Sequence, residues 1–275
     1  MRWSDYRQST NVEDRRGGRG LALGGGGLGV LVLGLVAFLC SGGDIRQFLE
    51  TLQTQTEVQQ PPTAGNSTNQ PPDENRKFVG AVMAMTEDVW TQVLPQQARV
   101  RYQAPKLVLF TNQISSACGY ASSASGPFYC PGDYNLYLDF AFFRELKNEF
   151  KASGDFAQAY VIAHEVGHHV QNLVGTMDKV QRAGQDNQLS VGLELQADCY
   201  AGIWANNAQK KGLVEAGDAE EAIRAAAAVG DDMIQKRTQG YIVPDSFTHG
   251  SSQQRMQWFA KGFQTGDMRQ CEAFR

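Results

Sequence analysis

The amino-acid sequence predicts a mostly helical α+β domain with a small β-sheet, preceded by one N-terminal transmembrane helix. Three observations carry that reading. Residues 21–40 are an uncharged apolar run, a polar Gln/Thr/Pro-rich stretch follows, and the remainder shows long helical periodicities with only two short strand-like runs.

The apolar run reads LALGGGGLGVLVLGLVAFLC. As a helix its length is about 30 Å, the thickness of a bilayer core, and glycine is tolerated better there than in soluble helices. Arg15, Arg16 and Arg19 precede it, and behind it Arg46 is the only positive residue before Arg76. The positive-inside rule then puts residues 1–20 in the cytoplasm and residues 41–275 outside it, periplasmic or at the cell surface. A cleaved signal peptide fits less well, because the polar lead is long and no A-x-A-like site is visible. Lipid modification of Cys40 also fits less well, since Ala37-Phe38-Leu39 lacks the usual small residues.

Residues 41–76 are polar, carry two Pro-Pro pairs and bury too little apolar surface to fold, so they read as a flexible linker. Asn66-Ser67-Thr68 matches a glycosylation sequon, a pattern that arises readily by chance in such a stretch. The folded domain is expected at residues 77–275.

Within it, Phe78, Val82, Met85, Val89, Trp90 and Val93 recur at helical steps and predict a helix ending before Pro95. Lys106–Phe110 and Asn135–Asp139 read as strands. A helix follows with Phe142, Phe143, Leu146 and Phe150 on one side. The next runs from Asp155, a candidate N-cap, to Asn172, with Gly175 as its stop. Further helices are predicted over 190–210, 218–236 and 251–262.

A hydrophobic content of 42% suffices for one sizeable core. The net charge of -4 supplies no basic field, which excludes a nucleic-acid partner. Of five cysteines, Cys40 ends the apolar run, and an even set remains: Cys118, Cys130, Cys199 and Cys271. In an oxidising compartment these make two disulfides. Cys118 and Cys130 flank a Gly/Ser-rich loop and are paired here, leaving Cys199 with Cys271. Other pairings, and free buried thiols, remain open. No C-x-x-C spacing suggests a cysteine metal site.

The chemistry is carried by His164-Glu165-Val166-Gly167-His168. Residues four apart share a helix face, so His164 and His168 can reach one ion, and Glu165 can reach a water on it. Gly167 removes bulk between the ligands. His169 points about 140° away from His164 on a helical wheel and is not counted as a ligand. A catalytic zinc takes three protein ligands, so a third is needed from elsewhere. Glu194, in Leu193-Glu194-Leu195-Gln196-Ala197-Asp198, is the candidate, with Asp198 positioned to accept a hydrogen bond from a ligating imidazole. The reverse assignment, Asp198 as ligand, is its competitor. Ala197, Ala201 and Gly202 would let this helix approach the first closely.

H-E-x-x-H completed by E-x-x-x-D resembles the gluzincin metallopeptidases and implies a zincin-like fold. The stretches GPFYCPGDYNLYLD, GDFAQAYVIAHEVGHHVQ, LELQADCYAGIWA and SFTHGSSQQRMQWFAKGFQTGD resemble the bacterial family of putative neutral zinc metallopeptidases, over roughly residues 77–275. The resemblance implies one Zn²⁺ per chain and a peptide or protein substrate. Thr248-His249-Gly250 with Arg255 is also similar to the T-H-P…R segment of prenyl-protein-protease-type gluzincins, which implies a catalytic-site role for His249 in stabilising an oxyanion.

The expected function is therefore a membrane-anchored zinc metalloendopeptidase. His164, His168 and Glu194 hold the metal, Glu165 is general base, and the substrate adds as a strand beside Lys106–Phe110 or Asn135–Asp139. The alternative is a zinc-bound but catalytically inactive scaffold module of the cell envelope.

Overall fold

The computed structural model describes residues 1–17, 73–184 and 186–274. The apolar run at 21–40, Cys40, the sequon and the linker to residue 72 lie outside the described residues. Among the described residues no helix is long and apolar enough to cross a membrane.

Helix α1 (Glu74–Ala98) starts where Asp73 accepts the Arg76 N–H. It runs through Pro95 instead of ending before it. Pro95 forfeits an intrahelical hydrogen bond, but Val93 and Leu94 are buried beside it and hold the last turn in place. The two strands read from the sequence, β2 (Lys106–Phe110) and β6 (Asn135–Asp139), pair in parallel at the centre of a four-stranded sheet. Its edges are β1 (Val12–Asp14) and β5 (Phe128–Cys130), in the order β1-β2-β6-β5. Neither predicted strand is therefore free to receive a substrate strand; β1 and β5 are the edges, β5 antiparallel to β6. A separate hairpin is formed by β3 (Gln113–Ser116) and β4 (Gly119–Ser122), and the Cys118–Cys130 disulfide ties its turn to the end of β5.

The helical layer follows: α2 (Ala141–Asn148), α3 (Asp155–Leu173), α4 (Thr176–Ala183), α5 (Asn187–Lys210), α6 (Asp218–Ala228), α7 (Asp231–Thr238) and α8 (Ser252–Thr265). Gly154, at φ 123°, occupies the cap position of α3, and Asp155 is the first residue inside. Gly175, at φ 76°, turns the chain directly into α4. The helix expected over 218–236 breaks at Gly230, where a side chain would collide with the Ser252 backbone. Phe156, Tyr160, Trp204 and Phe259 fill the core between α3, α5 and α8.

Residues 1–16 belong to this domain, which corrects the division of the chain at residues 20 and 77. Met1–Arg16 and Pro72–Arg275 form one compact unit. Val12 pairs with Leu107 in parallel register, and the Leu107 and Arg15 N–H groups donate to Asn11 and Leu109 carbonyls at 2.8 Å each. Arg16 bridges Asp14 and Asp73 and lies 4.6 Å over the Phe140 ring.

Helices α5 and α8 cross at two glycines. A Cβ on Gly202 would run into the Phe259 carbonyl, and one on Gly262 into the Cys199 carbonyl. Gly202 therefore serves the contact with α8, whereas the contact with α3 is made at Gly167, whose added Cβ would lie 2.9 Å from the Ala197 carbonyl. Gly262→Ala is expected to cost about 3 kcal/mol by overpacking, read as a lower midpoint in denaturant unfolding. A change below about 0.5 kcal/mol would contradict the close crossing.

Candidate metal centre

Helices α3 and α5 lie side by side and bring the predicted ligands together. His164 Nε2 is 3.2 Å from Glu194 Oε2, and His168 Nε2 is 3.3 Å from Glu194 Oε1. One ligand atom from each of His164, His168 and Glu194 falls within 4.8 Å of the others. Two donors on a tetrahedral zinc, with bonds of about 2.0 Å, stand about 3.3 Å apart. The observed N···O separations match that spacing, so the residues fit zinc. Asp198 stands behind His164: its Oδ1 lies 2.9 Å from His164 Nδ1, on the ring side away from Glu194, the placement of a supporting carboxylate.

Asp198 is fully buried. Arg255 Nε donates to its Oδ2 at 2.8 Å, Arg255 Nη2 to its Oδ1 at 3.0 Å, and the Tyr160 hydroxyl also donates to Oδ1. Arg255 is itself buried and donates a further bond to the Val229 carbonyl at 3.1 Å. Burial alone would raise the Asp198 carboxyl, but Arg255 and His164 hold it below the usual range. Burial likewise opposes charge on His164, yet Asp198 and Glu194 raise it to about 10. Glu194 lies well below its ordinary range because the two histidines outweigh its burial. Glu165 shows the opposite: burial pushes its carboxyl up, the direction that suits a group taking a proton near neutrality.

His164, Glu165, His168 and Glu194 open onto a cleft of about 790 Å³, whose wall also includes Phe128, Tyr129, Phe142, Phe150 and His249. His249 Nδ1 lies 3.0 Å from Asp231 Oδ1, and Asp231 Oδ2 accepts the N–H groups of Thr248, His249 and Gly250 at 2.8, 2.6 and 3.0 Å. Asp231 thus holds both the turn and the ring. Gly250 has φ 87°, which proline cannot adopt, so this turn departs from the T-H-P geometry it resembles. His169 is buried packing: it donates to the Gln103 carbonyl at 2.6 Å and accepts from the Tyr129 hydroxyl at 3.1 Å, which registers β5 onto α3. The disulfides pair Cys118 with Cys130, at the end of β5, and Cys199 with Cys271. A second acidic group, Asp155, Asp218 and Glu221, also has metal-like spacing, but the Met1 amine already lies 3.0 Å from Asp155 and 3.2 Å from Asp218.

Sequence reasoning missed Tyr160, Gln171 and Asp231. Tyr160 and Gln171 stand four residues before His164 and three after His168, a spacing that could have flagged them. Nothing local marks Asp231.

The family described as "Putative neutral zinc metallopeptidase" matches residues 1–274. The chain belongs to that family. The protein named "Uncharacterized protein YpfJ" of Escherichia coli K12 is 47% identical over 291 residues, covering 100% of this chain and 99% of its own length. "Uncharacterized protein Rv2575" of Mycobacterium tuberculosis is 44% identical over 217 residues, covering 74% of this chain and 72% of its own. No solved structure matches the chain. The family's description implies zinc, in agreement with the donor set formed by His164, His168 and Glu194.

Arg255→Met is expected to strand the Asp198 charge and cost about 3–5 kcal/mol of stability, far more than a surface pair would. Urea unfolding of the metal-free variant reads this. A loss under 1 kcal/mol would show that Asp198 is not held as a buried anion.

Proposed function

We propose that the protein is a zinc metalloendopeptidase. The observation that carries this reading is the convergence of His164, His168 and Glu194 beside Glu165 in one cleft. Bound there, zinc would supply the Lewis acidity that makes water a nucleophile near neutral pH and polarises a carbonyl. Glu165 takes the proton of the attacking water and returns it to the leaving amine. His249, its Nδ1 held by Asp231, presents Nε2 to the charge that develops on the carbonyl oxygen. The unpaired edge of β5 receives the substrate as an extended strand, and Phe128, Phe142 and Phe150 flank its side chains. Glu165 also argues against an inactive scaffold, which has no need of a carboxylate raised by burial at this position.

The two disulfides favour an oxidising, extracytoplasmic compartment. We place Met1–Arg16 on the same side as the metal centre, so that any membrane attachment through residues 21–40 leaves both flanks of that run on one side.

Purified protein is expected to hold close to one zinc per chain, lost in His168→Ala. Glu165→Gln should keep the zinc and lower peptide cleavage by about 10²–10⁴-fold. Retained cleavage in Glu165→Gln would sink the mechanism, and absence of zinc from the wild type would sink the site. Topology is read separately. In a Cys40→Ser background, cysteines introduced at Ser4 and at Lys236, both exposed, should react alike with an impermeant maleimide on spheroplasts. Labelling of only one would mean that β1 is not docked in the membrane-attached protein.

A further inference from the structure

The two histidines of the metal centre are supported in different ways. Behind His164 stands a charged group, Asp198. Behind His168 stands Gln171, whose Oε1 lies 2.9 Å from His168 Nδ1. A side-chain amide can turn either its oxygen or its nitrogen to a neighbour. Here the surroundings remove the choice. Gln171 Nε2 lies 2.7 Å from the Leu193 carbonyl and 3.2 Å from Gln196 Oε1. Gln196 Nε2 in turn lies 3.0 Å from the Cys271 carbonyl. A backbone carbonyl only accepts, so both amides must point their NH₂ groups at their carbonyls. Gln171 is then left with only its oxygen for His168.

An oxygen facing Nδ1 requires that Nδ1 carry the hydrogen. In a neutral imidazole this puts the lone pair on Nε2, the nitrogen beside Glu194. Two backbone carbonyls therefore set the tautomer of the histidine. One belongs to Leu193, next to Glu194. The other belongs to Cys271, which a disulfide ties to Cys199 on α5. Gln171 and Gln196 are both buried, and the side-chain oxygen and NH₂ group of each have a partner. Water has little access to replace a broken link.

We propose that Gln171 and Gln196 are positioning residues that hold His168 in its zinc-binding tautomer, and that the Cys199–Cys271 disulfide anchors their chain, so that zinc retention depends on the disulfide. This rests on the reading that His168 is a zinc ligand. Neither glutamine touches substrate or metal; each acts through His168.

The test is a double-mutant cycle on the full chain with zinc itself as probe. Gln171→Met, Gln196→Met and the paired Cys199→Ala/Cys271→Ala change are made singly and in combination. Zinc affinity is measured by chelator competition, and the visible spectrum of the Co²⁺-substituted protein reports ligand geometry. Gln171→Met should weaken zinc binding by about 10–100-fold and alter the cobalt spectrum. Gln196→Met and the disulfide variant should each weaken it in the same direction, and neither should add further loss in the Gln171→Met background. Independent packing defects would add instead, which would overturn the relay. Unchanged affinity and spectrum in Gln171→Met would overturn it outright. Should Gln171→Met fail to fold, Gln196→Met, which does not touch the ligand, decides through the cobalt spectrum: an unchanged spectrum overturns the proposal. Wild-type protein that binds no zinc would instead remove the metal site on which the proposal stands.

Discussion

The structure depends on one buried anion. Asp198 has no access to water, and an isolated carboxylate there would cost several kcal/mol. Its compensation has to come from elsewhere in the chain, and Arg255 on α8 supplies it. For that guanidinium to arrive, α8 must lie directly on α5, and only glycines at 202 and 262 permit the approach. The start of α8 must also be placed. Ser251 and Gln254 cap it reciprocally, and Asp232 takes the Ser252 N–H at 2.7 Å. Asp231, the neighbour of Asp232, then fastens Thr248, His249 and Gly250. The break at Gly230 is the same requirement seen from the other side, because a continuous helix could not lay both aspartates against the segment before α8. The charge that orients His164 thus also decides where His249 stands at the cleft.

This explains which parts were readable from the sequence. His164, Glu165, His168, Glu194 and Asp198 stand at helical spacings within two short segments, and helical geometry alone assembles each half. The two central strands were readable because each has five residues, four of them buried in a row, which leaves a compact and largely apolar run. The outer strands of the sheet have only three residues each, too few to show one. Strand β1 was further obscured by the apolar run that begins a few residues after it. Arg15 and Arg16 flank that run in sequence, and the fold pairs Arg15 with Glu13 and Arg16 with Asp14 and Asp73. Gln171 and Tyr160 were visible at helical steps from the ligands, but an amide or a tyrosine on a core face usually has a packing role. Asp231 and its hold on His249 arise only when α7 and the segment before α8 meet, a contact that no local pattern encodes.

The unequal support of the two histidines has an electrostatic reason. Glu165, Glu194 and Asp198 bring three carboxylates into one buried region, and Arg255 cancels one of them. A divalent cation bound there would cancel the other two and leave the site neutral. A second carboxylate behind His168 would upset that balance and add a buried charge without a partner. A glutamine relay orients the ring at no cost in charge. The metal-free site keeps the same balance by other means: the carboxylates outweigh burial and raise both His164 and His168, so that protons on the imidazoles occupy the electrostatic place of the cation. Metal and protons would therefore compete for the same two nitrogens. The hydrogen on His168 Nδ1, facing Gln171, takes no part in that exchange, and the ring keeps its orientation whichever occupant is present.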